Sequence, residues 1–248
     1  MSDRVTLAFL HNGQCTTSFH LSIMQTWMHD LGHDRVLSEP IAAQCASGRI
    51  PDGRNQCVQE FLRRGDDWLW FVDADMGWEP DALYRLLDSV DPETRPVMGG
   101  LCFAQRLEDS TGPDMSQLYS IQPTCYQWNP NPDEEGFVPI LRYPRDDVFE
   151  VAGTGAAFIL IHRSVFVQLA SQFGETWFTP LPSGDGMAGE DLSFCARRVK
   201  AGIPLHVNPH VRTSHCKGGI YLTEFAYDLE RAAMSVAAPD SELEAVAL

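Results

Sequence analysis

Apolar positions along this chain follow two rhythms. Residues 4–10 (RVTLAFL) are a short apolar run of strand length. Thr17–Leu31 places Phe19, Ile23, Trp27 and Leu31 at four-residue steps with Gly32 behind them, which predicts an amphipathic helix and its stop. Residues 35–38 read as a short strand. Residues 51–64 carry Val58, Phe61 and Leu62 on one helical face and end at Gly65. Trp68–Val72 (WLWFV) is apolar without alternation, as in a strand covered on both faces. Pro80 starts a further helix that runs to about Ser89, and residues 97–103 return as a strand. Strand and helix therefore alternate through this part of the chain, the pattern of a parallel sheet with helical crossovers.

The pattern then changes. Residues 105–150 are rich in proline and polar residues, with short runs at 120–127 and 138–143 that predict loops plus a small antiparallel hairpin. Residues 156–161 look like a core strand, and Ser164 is placed to cap a helix reaching about Gln172. A Gly/Pro-rich stretch, FTPLPSGDGMAG, feeds a helix from about Asp191 to Ala201, closed by Gly202, and residues 204–208 form a last strand. The expectation is one domain over residues 1–231, with 232–248 as a mobile tail or a loosely held helix.

Composition narrows the class. The chain has 248 residues, 44% of them hydrophobic and 10% aromatic, enough for a sizeable core. No apolar run is long enough for a membrane span, and the apolar stretch near the N-terminus is too short for a signal-peptide core. A cytoplasmic protein is expected. The seven cysteines, at positions 15, 45, 57, 102, 125, 195 and 216, include no Cys-x-x-Cys and read as reduced thiols rather than a zinc site. A formal net charge of −16 argues against a nucleic-acid backbone as the main partner. Arg63, Arg64, Arg197, Arg198 and Lys200 read as solvated helix faces.

Candidate chemistry begins where the buried strand stops. Asp73 and Asp75 follow Val72 directly, and two carboxylates so close repel unless a cation or proton lies between them. A hard divalent metal holding a phosphate is a common resolution. Glu190 and Asp191 open a helix behind Gly184, Gly186 and Gly189; they either offset the helix dipole or accept a proton from an incoming hydroxyl. His215 could complete a metal site begun by Asp75, and Lys217 could meet a phosphate. Gly153, Thr154 and Gly155 form either a plain turn or a place where a ligand nears the backbone. Arg54 and Asn55 sit in the first turns of a helix, where a phosphate or a base is favoured. Trp78 and Trp177 serve as core or as sugar-stacking platforms.

In their order and placement these elements resemble a GT-A glycosyltransferase, GT2-like, over roughly residues 4–220. Compact forms of this kind, without membrane helices, resemble enzymes of bacteriophages and bacterial sugar clusters, which would place the protein in a host cytoplasm. The resemblance implies a Rossmann-like mixed central sheet flanked by helices with a small antiparallel hairpin insertion. It implies that His11, Asn12 and Gly13, after Leu10, hold the nucleotide base, with Arg54 and Asn55 nearby. Asp73-Ala74-Asp75 would be the Asp-x-Asp motif, with Asp75 the metal ligand and Asp73 on ribose or metal. Glu190-Asp191 would supply the base of an inverting reaction, and His215 a further metal ligand. The implied cofactor is Mn²⁺ or Mg²⁺. The implied donor is a nucleotide-diphosphate sugar, a UDP-sugar for preference. The acceptor could be a protein, a glycan, a lipid-linked sugar, a small molecule or a modified DNA base.

The chain departs from the family in two ways. No Asp closes the second strand, where Glu39 and Gln44 are the nearest polar residues. The Gln-x-x-Arg-Trp motif of processive members is absent, which points to transfer of one sugar at a time. Three other readings compete. A haloacid-dehalogenase-type phosphohydrolase also uses Asp-x-Asp after a strand, but expects it near the N-terminus and with Thr or Val where this chain has Gly77. A sugar nucleotidyltransferase needs a Gly-rich loop after the first strand, which HNGQCTTSF lacks. A catalytically inactive nucleotide-sugar-binding module would have no need of four acidic residues at these positions.

Overall fold

A computed structural model of the chain describes residues 3–45, 48–108, 118–131, 136–183 and 186–237. The first half runs β1 (Val5–His11), α1 (Thr17–Leu31), β2 (Ile41–Gln44), α2 (Ile50–Arg64), β3 (Trp68–Val72), β4 (Met76–Trp78), α3 (Ala82–Leu87), β5 (Val97–Leu101) and β6 (Phe103–Glu108). Then come β7 (Leu118–Pro123), β8 (Cys125–Asn129), β9 (Gly136–Pro139), β10 (Phe149–Glu150), β11 (Gly153–Thr154), β12 (Phe158–His162) and α4 (Arg163–Phe173). The chain continues through β13 (Pro182–Ser183), β14 (Gly186–Met187), α5 (Glu190–Lys200), β15 (His206–Lys217), β16 (Ile220–Leu222) and α6 (Glu224–Ala237).

The architecture is mixed α/β, a central sheet with helices on both faces and small antiparallel hairpins, in keeping with a GT-A-like fold. The sheet order is β2-β1-β3-β12-β5-β15-β10. Strands β1, β2 and β3 are mutually parallel, whereas β12 is antiparallel to both β3 and β5. The expected parallel run thus stops at β3, because β12 inserts between it and β5. Successive residues of β3 feed opposite cores. Leu69 and Phe71 join Phe61, Phe166, Phe178 and Phe194 on one face, while Trp68, Trp70 and Val72 join Phe19, Trp78 and Phe158 on the other. Each such large side chain contributes roughly 1.5–3 kcal/mol on burial, so β3 is an anchored strand rather than a flexible one.

Several expectations need correction. The second strand lies at Ile41–Gln44, not at 35–38. The carboxylate of buried Asp30 accepts the amides of Val36 and Leu37 at 2.9 and 3.3 Å, leaving only an isolated bridge from Leu37 to Val5. Helix α3 is short, with Pro80 in the turn before it. The strand expected at 97–103 breaks at Cys102, where the chain leaves the central sheet to pair β6 with β7. His162, not Ser164, caps α4, its Nδ1 accepting the Ser164 amide. Residues 105–150 carry more sheet than one hairpin: β7 pairs with β6, and β8 and β9 form a three-stranded sheet with β11 just beyond. Helix α6 reaches Ala237, so residues 232–237 take the helical one of the two forms expected for that stretch, which is no correction; 238–248 lie outside the described residues.

Two further differences concern helix faces. On α1, Phe19 is buried and Ile23 and Trp27 pack against the core, but Leu31 is exposed. Four-residue steps overshoot a helical turn by about 40° each, so by the third step the side chain has rotated away from the sheet. On α5, Arg197 and Arg198 are buried rather than solvated. Arg198 donates to the carbonyls of Ile203, Val151 and Ala152, and Arg197 to those of Trp177 and Ser193. None of the seven cysteines, all among the described residues, is joined in a disulfide.

Candidate functional site

Because β1, β2 and β3 run parallel, their carboxyl ends share one sheet edge, where ligands of open α/β folds bind. A cleft of about 450 Å³ opens there, lined by residues that include His11, Asn12, Arg54, Asp73, Ala74, Asp75, Glu190 and Lys217. The segment after β3 is held tightly: Thr16 caps α1 and its amide donates to the Ala74 carbonyl at 2.9 Å. Gly77 allows this closeness, since a Cβ there would lie 2.6 Å from Ser214 Oγ and 3.0 Å from Ser18 Cβ.

The metal-binding candidates converge through β15. Its first residues pair with β5, its register shifts between Asn208 and Arg212, and its far end pairs antiparallel with β4 and β16. That path carries His215 and Lys217 out of the central sheet and over Asp75. One ligand atom each from Asp73, Asp75 and His215 lie within 4.8 Å of one another. His215 is buried, and its Nδ1 lies 3.1 Å from the Phe103 carbonyl, which can only accept, so Nδ1 carries the proton. In the neutral ring Nε2 then presents a lone pair. Nε2 sits 3.2 Å from Asp75 Oδ1, out of hydrogen-bond alignment and with no partner. A buried lone pair facing a carboxylate is a poor contact unless a cation lies between them, so the residues fit a divalent ion. Lys217 Nζ meets the other Asp75 oxygen at 2.7 Å. Burial alone would raise the Asp75 carboxyl; when both ring nitrogens of His215 carry protons, that ring and Lys217 outweigh it and hold the group down at about 2.

The opposite wall is organised by Arg54, buried in α2 with its guanidinium over the rings of Phe71 and Phe178. It donates to Asp73 Oδ1 at 2.8 Å and to the Ala156 carbonyl at 3.2 Å, and its Nε is 3.6 Å from Glu190 Oε1. Burial opposes that charge; Asp73, Glu190 and Asp191 outweigh it and raise the guanidinium above its ordinary value. Asp191, in the first turn of α5, has its carboxyl pushed above the usual range by burial and then by Glu190, against the pull of the Leu192 amide and Arg54.

The other candidates are placed as follows. His11 and Asn12 line the cleft; the exposed Gly13, at φ 100°, donates its amide to His11 Nδ1. Asn55 faces away from the cleft lining: its Oδ1 accepts the Phe178 amide and its Nδ2 donates to Thr179. Gly153 and Thr154 are buried in β11, and the close neighbour of Gly153 is Phe137, 2.8 Å from where a Cβ would stand. Gly155 lies beside Asp191, with Oδ2 3.6 Å from its Cβ position. Trp78 and Trp177 are core residues, their indoles donating to Thr26 Oγ1 and the Phe166 carbonyl. Of the two polar residues near the second strand, Gln44 ends β2, while Glu39 precedes it and gives its carbonyl to Arg64. The lining also includes Gln14, Cys15, Thr16, Cys45 and Ile50, which sequence reasoning did not single out. Their signal was positional: each lies just past a strand end or at a helix start.

No family model matches this chain, and no curated protein matches it in sequence. The crystal structure of A197 from STIV is similar, with a TM-score of 0.55 and 15% identity over 90% of this chain and 91% of that one. The crystal structure of GalNAc-T7 with UDP, GalNAc and Mn²⁺ aligns at a TM-score of 0.48 and 11% identity, over 86% of this chain and 43% of that one. At such identities the likeness to A197 is one of fold. Among the described residues no helix is long and apolar enough to cross a membrane.

Proposed function

We propose that the protein is a metal-dependent glycosyltransferase that moves one sugar from a nucleotide-diphosphate sugar, a UDP-sugar for preference, to an acceptor hydroxyl with inversion. The observation that carries this reading is the buried, unpartnered Nε2 of His215 aimed at Asp75, which lines the cleft at the sheet's carboxyl edge. Asp75 and His215, with Asp73 beside them, would hold the ion. The imidazole favours a transition ion such as Mn²⁺ over Mg²⁺. Bound there, it would supply positive charge to the leaving diphosphate.

The chain's own residues take the remaining roles. Lys217, exposed on one side of the cleft, is free to turn from Asp75 to a phosphate oxygen. His11, Asn12 and Gly13 after β1 would border the base, and Arg54 would keep Asp73 oriented. Asp191 accepts the acceptor's proton; a raised pKa makes it a stronger base than an ordinary carboxylate. Glu190, on the cleft wall, would position the acceptor. Gly155 leaves room beside Asp191 for that approach. The phosphohydrolase reading fares worse on one point: Asp73, its would-be nucleophile, is bound by Arg54 at 2.8 Å.

The test is a donor screen with UDP-, GDP- and TDP-sugars, with and without Mn²⁺. Metal-dependent release of nucleoside diphosphate is the expected result. Phosphate release from a monoester would transfer the assignment to a hydrolase, and donor binding without turnover to a binding module. NMR of the product sugar reads the anomeric outcome, and retention would remove Asp191 from the role of base.

A further inference from the structure

Helix α1 carries a second apolar face, turned away from the sheet. Leu21, Met24, Met28 and Leu31 are 52%, 50%, 70% and 58% exposed. At 100° per residue they fall within about 80° of arc, opposite the buried Thr26. The spacing, three then four then three, is that of a coiled-coil seam. The helix holds one formally charged side chain, Asp30, and that carboxylate is buried under Val36, Leu37 and Tyr84. In a chain of net charge −16, an exposed helical face without a charge is unusual.

The pattern is also a palindrome. Reading outward from Thr26, Met24 mirrors Met28 and Leu21 mirrors Leu31 in both distance and residue type. A two-fold axis over Thr26 would therefore set Met24 against Met28 of a second copy, and Leu21 against Leu31. The palindrome makes each contact across such an isologous interface one between like residues, Met on Met and Leu on Leu; a membrane or an unrelated partner gives it no use. Antiparallel alignment also opposes the two helix dipoles favourably. Charge points the same way: two copies of net charge −16 repel overall, and least where neither face carries charge.

We propose that this face of α1 pairs antiparallel with the same face of a second copy of the chain. The exposed parts of the four side chains amount to roughly 400 Å², the size of the largest apolar patch on a typical monomer, which is often functional. That is about half of the ~800 Å² that each partner buries in a standard interface. Exposed Thr17, His20 and Gln25 on the flanks add to it, and the association is expected to be reversible and dependent on concentration. Because the repulsion between copies is screened by salt, added NaCl should strengthen the pairing.

Sedimentation velocity of the full chain over about a hundredfold range of concentration reads this directly, as mass action moves the equilibrium. The wild type should pass from monomer to dimer. The M24E/M28E variant, which places like charges at the centre of the seam, should remain monomeric. The M24K/M28E variant carries the same number of new charges but sets Lys against Glu across the two-fold axis, and it should restore the dimer. Near-wild-type melting of all three proteins checks the fold. A wild type that stays monomeric throughout overturns the proposal, as does a dimer that M24E/M28E leaves intact. A monomer that instead co-floats with phosphatidylglycerol vesicles, and loses this in M24E/M28E, assigns the face to a membrane and also overturns it.

Discussion

Two acidic pairs meet at the cleft, with Asp73, Asp75 and Glu190 lining it, and the fold treats them in opposite ways. Asp73 and Asp75 are each met by a cation: Arg54 on the first, Lys217 on the second, with His215 against the same carboxylate. Asp75 is thereby held down at about 2. Glu190 and Asp191 start a helix and share the more distant charge of Arg54, and burial pushes Asp191 up instead. Two carboxylates of the same chemistry, one lowered and one raised, suit different work. The lowered one is a fixed anion able to hold a cation, and the raised one is a group that takes a proton more readily than an ordinary carboxylate. Arg54 spans both pairs and keeps them from repelling each other across the cleft.

That contrast can be broken at four points, beginning with the largest effect. Asp191→Asn removes the proton acceptor without touching the cation-holding pair, so turnover should fall about 1,000-fold with donor affinity unchanged. Steady-state rates and donor titration on the same sample separate the two, and equal losses in both would sink the division of roles. Next, Arg54→Ala leaves both pairs without their shared cation and should cost about 3 kcal/mol of stability, read by chemical denaturation. A loss no greater than that of an exposed arginine would mean that the two pairs are independent.

The third test uses pH, where the pairs carry opposite signs. Asp75 has a lowered pKa, so it stabilises the fold above the ordinary value of 3.8, and this is lost as pH falls towards about 2. Asp75→Asn should thus cost about 2 kcal/mol at neutral pH and little in strong acid. Asp191 has a raised pKa, so the stability tied to its protonated form is present in acid and lost as pH rises through that value. Asp191→Asn should therefore raise the melting temperature at neutral pH, with the gain shrinking in acid. Melting curves of both variants across pH check the two signs together. The smallest effect concerns Lys217, whose side chain is 45% exposed. Lys217→Gln should change stability by less than about 1 kcal/mol while tightening Mn²⁺ binding a few-fold, since a competing cation is gone. Calorimetric titration with Mn²⁺ alone would reveal weaker binding if Lys217 instead supports the site.

Much of the scaffold was legible before any coordinates. Helices α1, α2, α4 and α5 and strands β1, β3 and β12 fall where periodicity and stop residues place them, within about two residues, and β5 starts where expected. The reason is local. A continuous apolar run such as WLWFV, or a Gly at φ 87° closing α2 after Arg64, acts through the residues' own backbone and burial preferences. Asp73 and Asp75 were conspicuous for the same reason, as charges ending a buried strand. The segments misread were those governed by distant partners. Asp30 took the amides of Val36 and Leu37, Cys102 turned the chain into another sheet, and β15 ran on past residue 208 because β4 and β16 were there to pair with it.

The division at the site has the same origin. Strand ends, helix starts and the chemical character of each acidic pair are properties of short stretches, and those stretches specify them unaided. Which cation meets which carboxylate is a matter of non-local geometry. His215 reaches Asp75 across the register shift in β15, Arg54 reaches from α2 to Asp73 after β3 and to Glu190 on α5, and Asn55, its sequence neighbour, turns the other way to Phe178. Spacing along a chain carries no information about such meetings, because they depend on how whole strands are ordered and on which side chains find room between them.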